Sequence, residues 1–340
     1  MEERNLFDEL MSAGAPEGQP QASGMQVELA QGIDIAEVQA AFMREGAMMD
    51  APYKVYQMNS RAGRYYYRVT DAGKVEWYPS VTTILRRTQP TPEHLIKWIA
   101  DLGYEEAERI KMERAAYGTF MHAQFEKLII SRTYVLDDVR KELSKYIEDN
   151  DLPSGFIAYE DELKKDVLSF AQWMIDYDVR PIAVEVALVN PDGGYAGMVD
   201  LVCDMKESPK SDARTIAIVD FKSGKKGFHE EYEIQLGLYR EMWNVNFKSL
   251  PVERIFNFAP KDWRKTPTYT LKEQTDSKSL KKIPYILALA AIEDDSEDKE
   301  WMQFVGHIDL DEQRDLTENI NKLKLSDVVI ARRKEAQDEK

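Results

Sequence analysis

The chain reads as an α/β protein, with a helix, three successive strands, a second helix and a further strand. Three observations carry that reading. Apolar runs rich in β-branched residues at 182–188, 195–205 and 215–222 have the length and composition of buried strands. The first two are separated by NPDGG at 190–194, a hairpin turn. On either side lie segments with apolar residues at helical spacing, AAYGTFMHAQFEKLII before the strands and 230–244 after them.

Taken in order, residues 1–50 start with a stretch rich in Gly, Ala, Gln and Pro at 13–24. A modest helical period follows at 32–49. This reads as a flexible arm with a short helix, or equally as a partner-binding arm. Residues 51–114 form an accessory region. Alternation through YKVYQM, RYYYRV and KVEWY predicts a β-hairpin or meander, broken at 59–63 and 71–73. Its tyrosines interleave with Arg61, Arg64 and Arg68, which suits base stacking and phosphate contact, and equally suits cross-strand aromatic packing. YPSVTTILRR starts a helix with Ser80 as its cap, and Thr91-Pro92 opens a second helix expected to run on through 93–116. Residues 132–175 are mostly helical, with a break at Pro153-Ser-Gly155. After the strands and the 230–244 helix, 252–259 alternates as a strand, 260–268 is a basic loop, and 278–292 is a helix interrupted near Pro284. An acidic loop at 294–300 and a terminal helix at 310–337 complete a C-terminal helical extension over 261–340.

Composition limits the chemistry. With 340 residues and 43% hydrophobic content, the chain has room for one large domain with additions or for two modest ones. Its single cysteine, Cys203, excludes an intramolecular disulfide and a four-cysteine zinc or iron–sulfur site. No apolar window approaches 18 residues, and the opening MEERNLFDEL is too acidic for a targeting signal, so a soluble cytoplasmic protein with no membrane partner is expected. The net charge of −16 works against indiscriminate adhesion to nucleic acid, while leaving a metal-lined groove free to bind it.

The functional signal is concentrated at the end of the 215–222 strand. Alternation puts Asp220 and Lys222 on one face and Phe221 on the other. An acid and a base at the rim of a buried strand suit a divalent metal and the proton of an attacking water. Asp200 is a second carboxylate set in an apolar run, a position that is costly unless it is paired or cation-bound.

The ordered set GTFMH (118–122), VEVAL (184–188), GMVD (197–200), VDFKSGK (219–225) and QLGLY (235–239) resembles the PD-(D/E)XK nuclease superfamily in its RecB-like branch, over residues 115–260. SVTTILRRT (80–88) is similar to a segment of mitochondrial genome-maintenance exonucleases and their phage relatives, which adds Ser80 and Arg86 as DNA contacts. The resemblance implies a restriction-endonuclease-like core, a mixed sheet flanked by helices, with the β-hairpin and helical region as N-terminal additions. It implies hydrolysis of DNA phosphodiesters with Mg²⁺ or Mn²⁺. In it His122, Asp200, Asp220 and the Phe221 carbonyl hold the metal. Lys222 orients or deprotonates the water, and Glu185 holds a second metal or a water. Gln235 and Tyr239 position the DNA backbone.

An exonuclease in recombination, repair or genome processing, acting on single-stranded or free-ended DNA beside a recombination or replication protein, follows from this resemblance, as does phage origin. Helical segments 80–115 and 131–175 are expected to roof the site. A structure-specific endonuclease of the same fold, a non-catalytic DNA-end-binding replisome adaptor and a carboxylate-rich binding protein are the competing readings.

Overall fold

The central sheet takes its form from the buried runs. The computed structural model describes residues 48–60, 63–70, 74–224 and 228–293. Strands β4 (Arg180–Asn190), β5 (Tyr195–Lys206), β6 (Arg214–Phe221), β7 (Arg254–Pro260) and β8 (Tyr269–Glu273) lie side by side in that order. All neighbours are antiparallel except β6 and β7. That one parallel pair needs a crossover, because parallel strands cannot be joined by a tight turn. The sheet is therefore mixed, as the resemblance implies.

Helices cover both faces. On one face pack α3 (Tyr104–Ser131), α4 (Val139–Asp149) and α5 (Glu160–Asp176), which bury Tyr117, Phe125, Leu143 and Phe170 against Leu201, Val219 and Phe258. On the other pack α1 (Val81–Thr88), the crossover helix α6 (Glu230–Asn246) and α7 (Ile283–Glu293), which bury Ile84, Leu238, Trp243 and Ile286 against Val199 and Ile218. Every described residue falls in the unit Asp34–Lys340. Among the described residues no helix is long and apolar enough to cross a membrane.

The accessory region is a second, three-stranded antiparallel sheet of β1 (Tyr56–Ser60), β2 (Gly63–Val69) and β3 (Val75–Pro79). Tyr56 stacks on Tyr67, and Tyr67 leans on Trp77, across the strands. Arg68 is paired with Glu76 at 3.0 Å. These residues follow the packing alternative for the tyrosines. Tyr66 and Tyr78 are buried against Val189 and Ala196, which ties this sheet to the central one.

Several expectations are corrected. The helix expected to run on from Pro92 is broken at Gly103, whose φ of +83° separates α2 (Glu93–Leu102) from α3; Pro92 occupies the cap position itself, ahead of the first turn. Tyr78 lies in β3, as KVEWY predicts, and Pro79 extends that strand to the Ser80 cap. Residues 139–176 form a layer of the core where a roof was expected, while α2 buries none of its described side chains. Strand β8 falls inside the stretch read as C-terminal helical extension. The arm at 1–47, Arg61, the acidic loop at 294–300 and the helix at 310–337 lie outside the described residues.

One side chain pins the end of β6. Phe221 is buried in a nest of aromatic edges, 5.5 Å from the Phe125 ring and 5.2 Å from the Phe170 ring, both near perpendicular. Phe221→Ala is expected to lower the unfolding free energy by about 3–5 kcal/mol, and Phe221→Leu by less than half of that. Urea denaturation measures both, and a loss below about 1 kcal/mol for the alanine variant contradicts this anchoring role.

Candidate active site and metal centre

Phe221 points into the aromatic nest, so its neighbours Asp220 and Lys222 project from the opposite face of the chain. Both are enclosed, Asp220 with 1% exposure and the Lys222 side chain with 18%. Lys222 Nζ lies 2.7 Å from Asp220 Oδ2 and donates to Gln235 Oε1 at 3.1 Å. It also sits 4.5 Å from the centroid of the Tyr232 ring, within cation–π reach. Gln235 Nε2 in turn donates to Tyr239 Oη at 2.9 Å, as residues four apart on one helix face can. Both Gln235 and Tyr239 are buried, with these polar atoms engaged by one another and by Lys222.

The hairpin of β4 and β5 supplies two further carboxylates. Pairing of Val184 with Leu201 and of Val186 with Val199 sets Glu185 opposite Asp200. Glu185 has φ +47°, a left-handed conformation within a strand that costs a non-glycine residue on the order of 1–3 kcal/mol. Asp200 Oδ2 accepts the Phe221 N–H at 2.7 Å. From α3, His122 brings Nε2 to 3.0 Å from the Phe221 carbonyl and Nδ1 to 3.6 Å from Glu185 and 3.7 Å from Asp200. Two motif glycines permit these approaches. A Cβ on Gly118 would meet Ser223 Oγ at 3.2 Å, and one on Gly197 would meet the Tyr239 ring at 2.7 Å.

Burial and mutual charge set the protonation of the cluster. Burial pushes Asp220 up to about 6 against the pull of Lys222, and burial also raises Asp200. Burial works to lower His122, but the carboxylates of Asp200 and Glu185 outweigh it and raise the imidazole to about 9. Lys222 likewise resists its burial because Asp220 and Asp200 hold the ammonium above its ordinary range. A dication on the same carboxylates works in the reverse direction.

The donor set suits a hard divalent cation. One donor atom from each of His122, Glu185 and Asp200 lies within 4.8 Å of the others. Carboxylate and carbonyl oxygens match Mg²⁺, and an added imidazole suits Mn²⁺ equally. The Phe221 carbonyl, 3.0 Å from His122 Nε2, lies beside this group and would add a further oxygen donor. Asp220 stands beside this group, its Oδ2 drawn to Lys222 and to Asn257 Nδ2 at 3.0 Å.

The two DNA contacts read from the 80–88 segment are placed differently. Ser80 is buried, its hydroxyl accepting the Thr83 N–H at 3.0 Å, so it serves as the cap of α1. Arg86 is exposed on α1, with its guanidinium against Gly63. Three residues around the site escaped the sequence reading. Tyr232 precedes Gln235 by one turn. Tyr66, raised mainly by burial, carries smaller influences from Arg64, Glu185 and Asp200, so β2 belongs to the electrostatic surroundings of the carboxylates. Asn257 interrupts the apolar run of β7 in the same way that Asp200 interrupts that of β5, and that anomaly was the available signal.

The family model described as the PD-(D/E)XK nuclease superfamily matches residues 96–324. A search of curated proteins finds no match. Among solved structures, the chain is similar to a protein of Eubacterium rectale named as a candidate exonuclease, with 14% identity and a TM-score of 0.30 over 47% of this chain and 63% of that one. The chain thus spans just under two thirds of that protein's length. It is also similar to the protein SSO0001, with 12% identity and a TM-score of 0.24 over 54% of this chain and 90% of that one.

The raised His122 gives a pH signature. A cation needs the neutral imidazole, so below about 9 binding has to expel a proton. Mn²⁺ affinity measured by calorimetry is expected to be about tenfold tighter at pH 8 than at pH 7, with roughly one proton released per ion. Equal affinity at both values contradicts a ligand role for this imidazole.

Proposed function

Because the chain belongs to the PD-(D/E)XK nuclease superfamily, we propose that it is a Mg²⁺- or Mn²⁺-dependent exonuclease of the RecB-like branch acting on DNA with a free end. The observation that carries the reading is the convergence on one peptide, that of Phe221. Its carbonyl faces His122, its N–H is held by Asp200, and its flanking residues are the paired Asp220 and Lys222. His122, Asp200, Asp220 and the Phe221 carbonyl would hold the cation, and Glu185, grouped with His122 and Asp200, would join them. When bound, the divalent cation supplies Lewis acidity at the phosphoryl oxygen.

The chain's own residues do the rest. Lys222 is held on three sides by Asp220, Gln235 and the Tyr232 ring, so its ammonium is oriented before substrate arrives. Such preorganisation stabilises charge developing on the attacked phosphate without reorganisation during the reaction. Lys222 would orient the attacking water through its ammonium, and with a cation sharing the charge of Asp220 and Asp200 it would more readily serve as the base for that water. Gln235 and Tyr239 act on the substrate by fixing Lys222. Preference for a free end rests on the resemblance of the ordered motifs to the RecB-like branch.

The test is degradation of end-labelled linear single-stranded, linear duplex and circular DNA in Mg²⁺ and in Mn²⁺. Linear substrates are expected to be shortened stepwise and circles spared, with Lys222→Ala slower on the order of 10²–10⁴-fold. Cutting of circles overturns the exonuclease reading in favour of an endonuclease. Full activity of the lysine variant overturns the assignment of Lys222.

A further inference from the structure

Strand β7 is apolar inside except at one position. Ile255, Phe256, Phe258 and Ala259 fill the core, whereas Asn257, equally enclosed with 0% exposure, carries an amide. A buried amide without partners costs several kcal/mol, so each of its groups needs an answering one. Asn257 lies in parallel register beside Asp220, and its Nδ2 donates to Asp220 Oδ2 at 3.0 Å. Its Oδ1 accepts from Gln274 Nε2 at 3.2 Å.

Gln274, with 3% exposure, follows β8 directly. Its backbone N–H donates to the Ile255 carbonyl at 2.9 Å, and its carbonyl accepts the Ser277 N–H at 3.1 Å, so its place is fixed by main chain on both sides. Because Gln274 presents an N–H₂, Asn257 can answer only with its oxygen, and its own N–H₂ is left to face Asp220. The two amide dipoles thus run head to tail into the carboxylate, an alignment in which each hydrogen bond strengthens the next. The oxygen that receives Asn257 is the one already bound to Lys222. Two donors on Oδ2 stop rotation of the carboxylate and commit the other oxygen to one direction.

We propose that Asn257, its amide oriented by Gln274, is a positioning residue that fixes the carboxylate of Asp220 for cation binding. The proposal rests on the reading of Asp220 as a ligand. Outer-shell partners of metal-binding carboxylates typically account for 10–100-fold in affinity.

The test compares Mn²⁺ binding by calorimetry and thermal unfolding without added metal in the full chain and in Asn257→Leu, Gln274→Met and Asp220→Asn. Asn257→Leu is expected to weaken Mn²⁺ by about 10–100-fold. Gln274→Met, which touches no charged group of the site, is expected to weaken it in the same direction by less, while still unfolding cooperatively. This second variant keeps the test decisive if Asn257→Leu fails to fold. Affinity within twofold of the parent in both amide variants, alongside loss in Asp220→Asn, overturns the relay and leaves Asp220 as a ligand. Lowered melting temperature with unchanged affinity marks a purely structural amide and overturns it as well. Undiminished affinity in Asp220→Asn overturns the ligand reading first, and the relay with it.

Discussion

The site depends on a group of charges taken out of water together. Asp200 and Asp220 are buried, and His122 and Lys222 are half-buried beside them, positions in which an isolated ion is costly. The carboxylates hold the protons on Lys222 and His122, and those cations work against the rise that burial imposes on Asp200 and Asp220. The fold is arranged to bring them within reach. The hairpin β4–β5 sets Glu185 across from Asp200, β6 supplies the acid and the lysine, α3 supplies the imidazole, and α6 supplies the amide and phenol behind the lysine. The energy that holds this arrangement comes from the far face of β6, where the Phe221 ring is locked among Phe125, Phe170 and Phe258. One residue's alternation thus joins the apolar core to the polar site.

Charge balance explains why such a site suits a strongly acidic protein. A net charge of −16 repels a phosphodiester backbone at long range. A carboxylate cluster of this kind adds to the repulsion unless a dication occupies it, and then the same carboxylates become the means of attraction. Electrostatics for that reason couples substrate binding to cation binding.

Much of this was legible in the sequence because the strongest signals are local. The apolar runs of β4 to β7, the NPDGG turn and the acid-x-lysine at the end of β6 can be read from period and composition, and Asp200 is conspicuous as a carboxylate in an apolar run. Strand β8 was not legible. YTLKE is short, half exposed and charged at its end, as an edge strand that discourages further pairing should be, and it carries no apolar run. The break at Gly103 was hidden because a glycine inside a helical period is usually tolerated, and only its φ of +83° turns the chain. Ser80 illustrates a different limit. One hydroxyl serves equally well as a helix cap or a phosphate contact, and burial decides between them. Asn257 depends on its register beside Asp220, a relation between strands 37 residues apart that no local pattern encodes.

The central claim is that the atoms gathered around the Phe221 peptide form one divalent-cation site. Anomalous diffraction at the manganese edge from crystals grown with Mn²⁺ tests it most directly. The expected result is a peak bounded by His122, Asp200, Asp220 and the Phe221 carbonyl, with the imidazole released from its contact to that carbonyl. A peak elsewhere, or one at this site with His122 still bonded to the Phe221 oxygen, would contradict it.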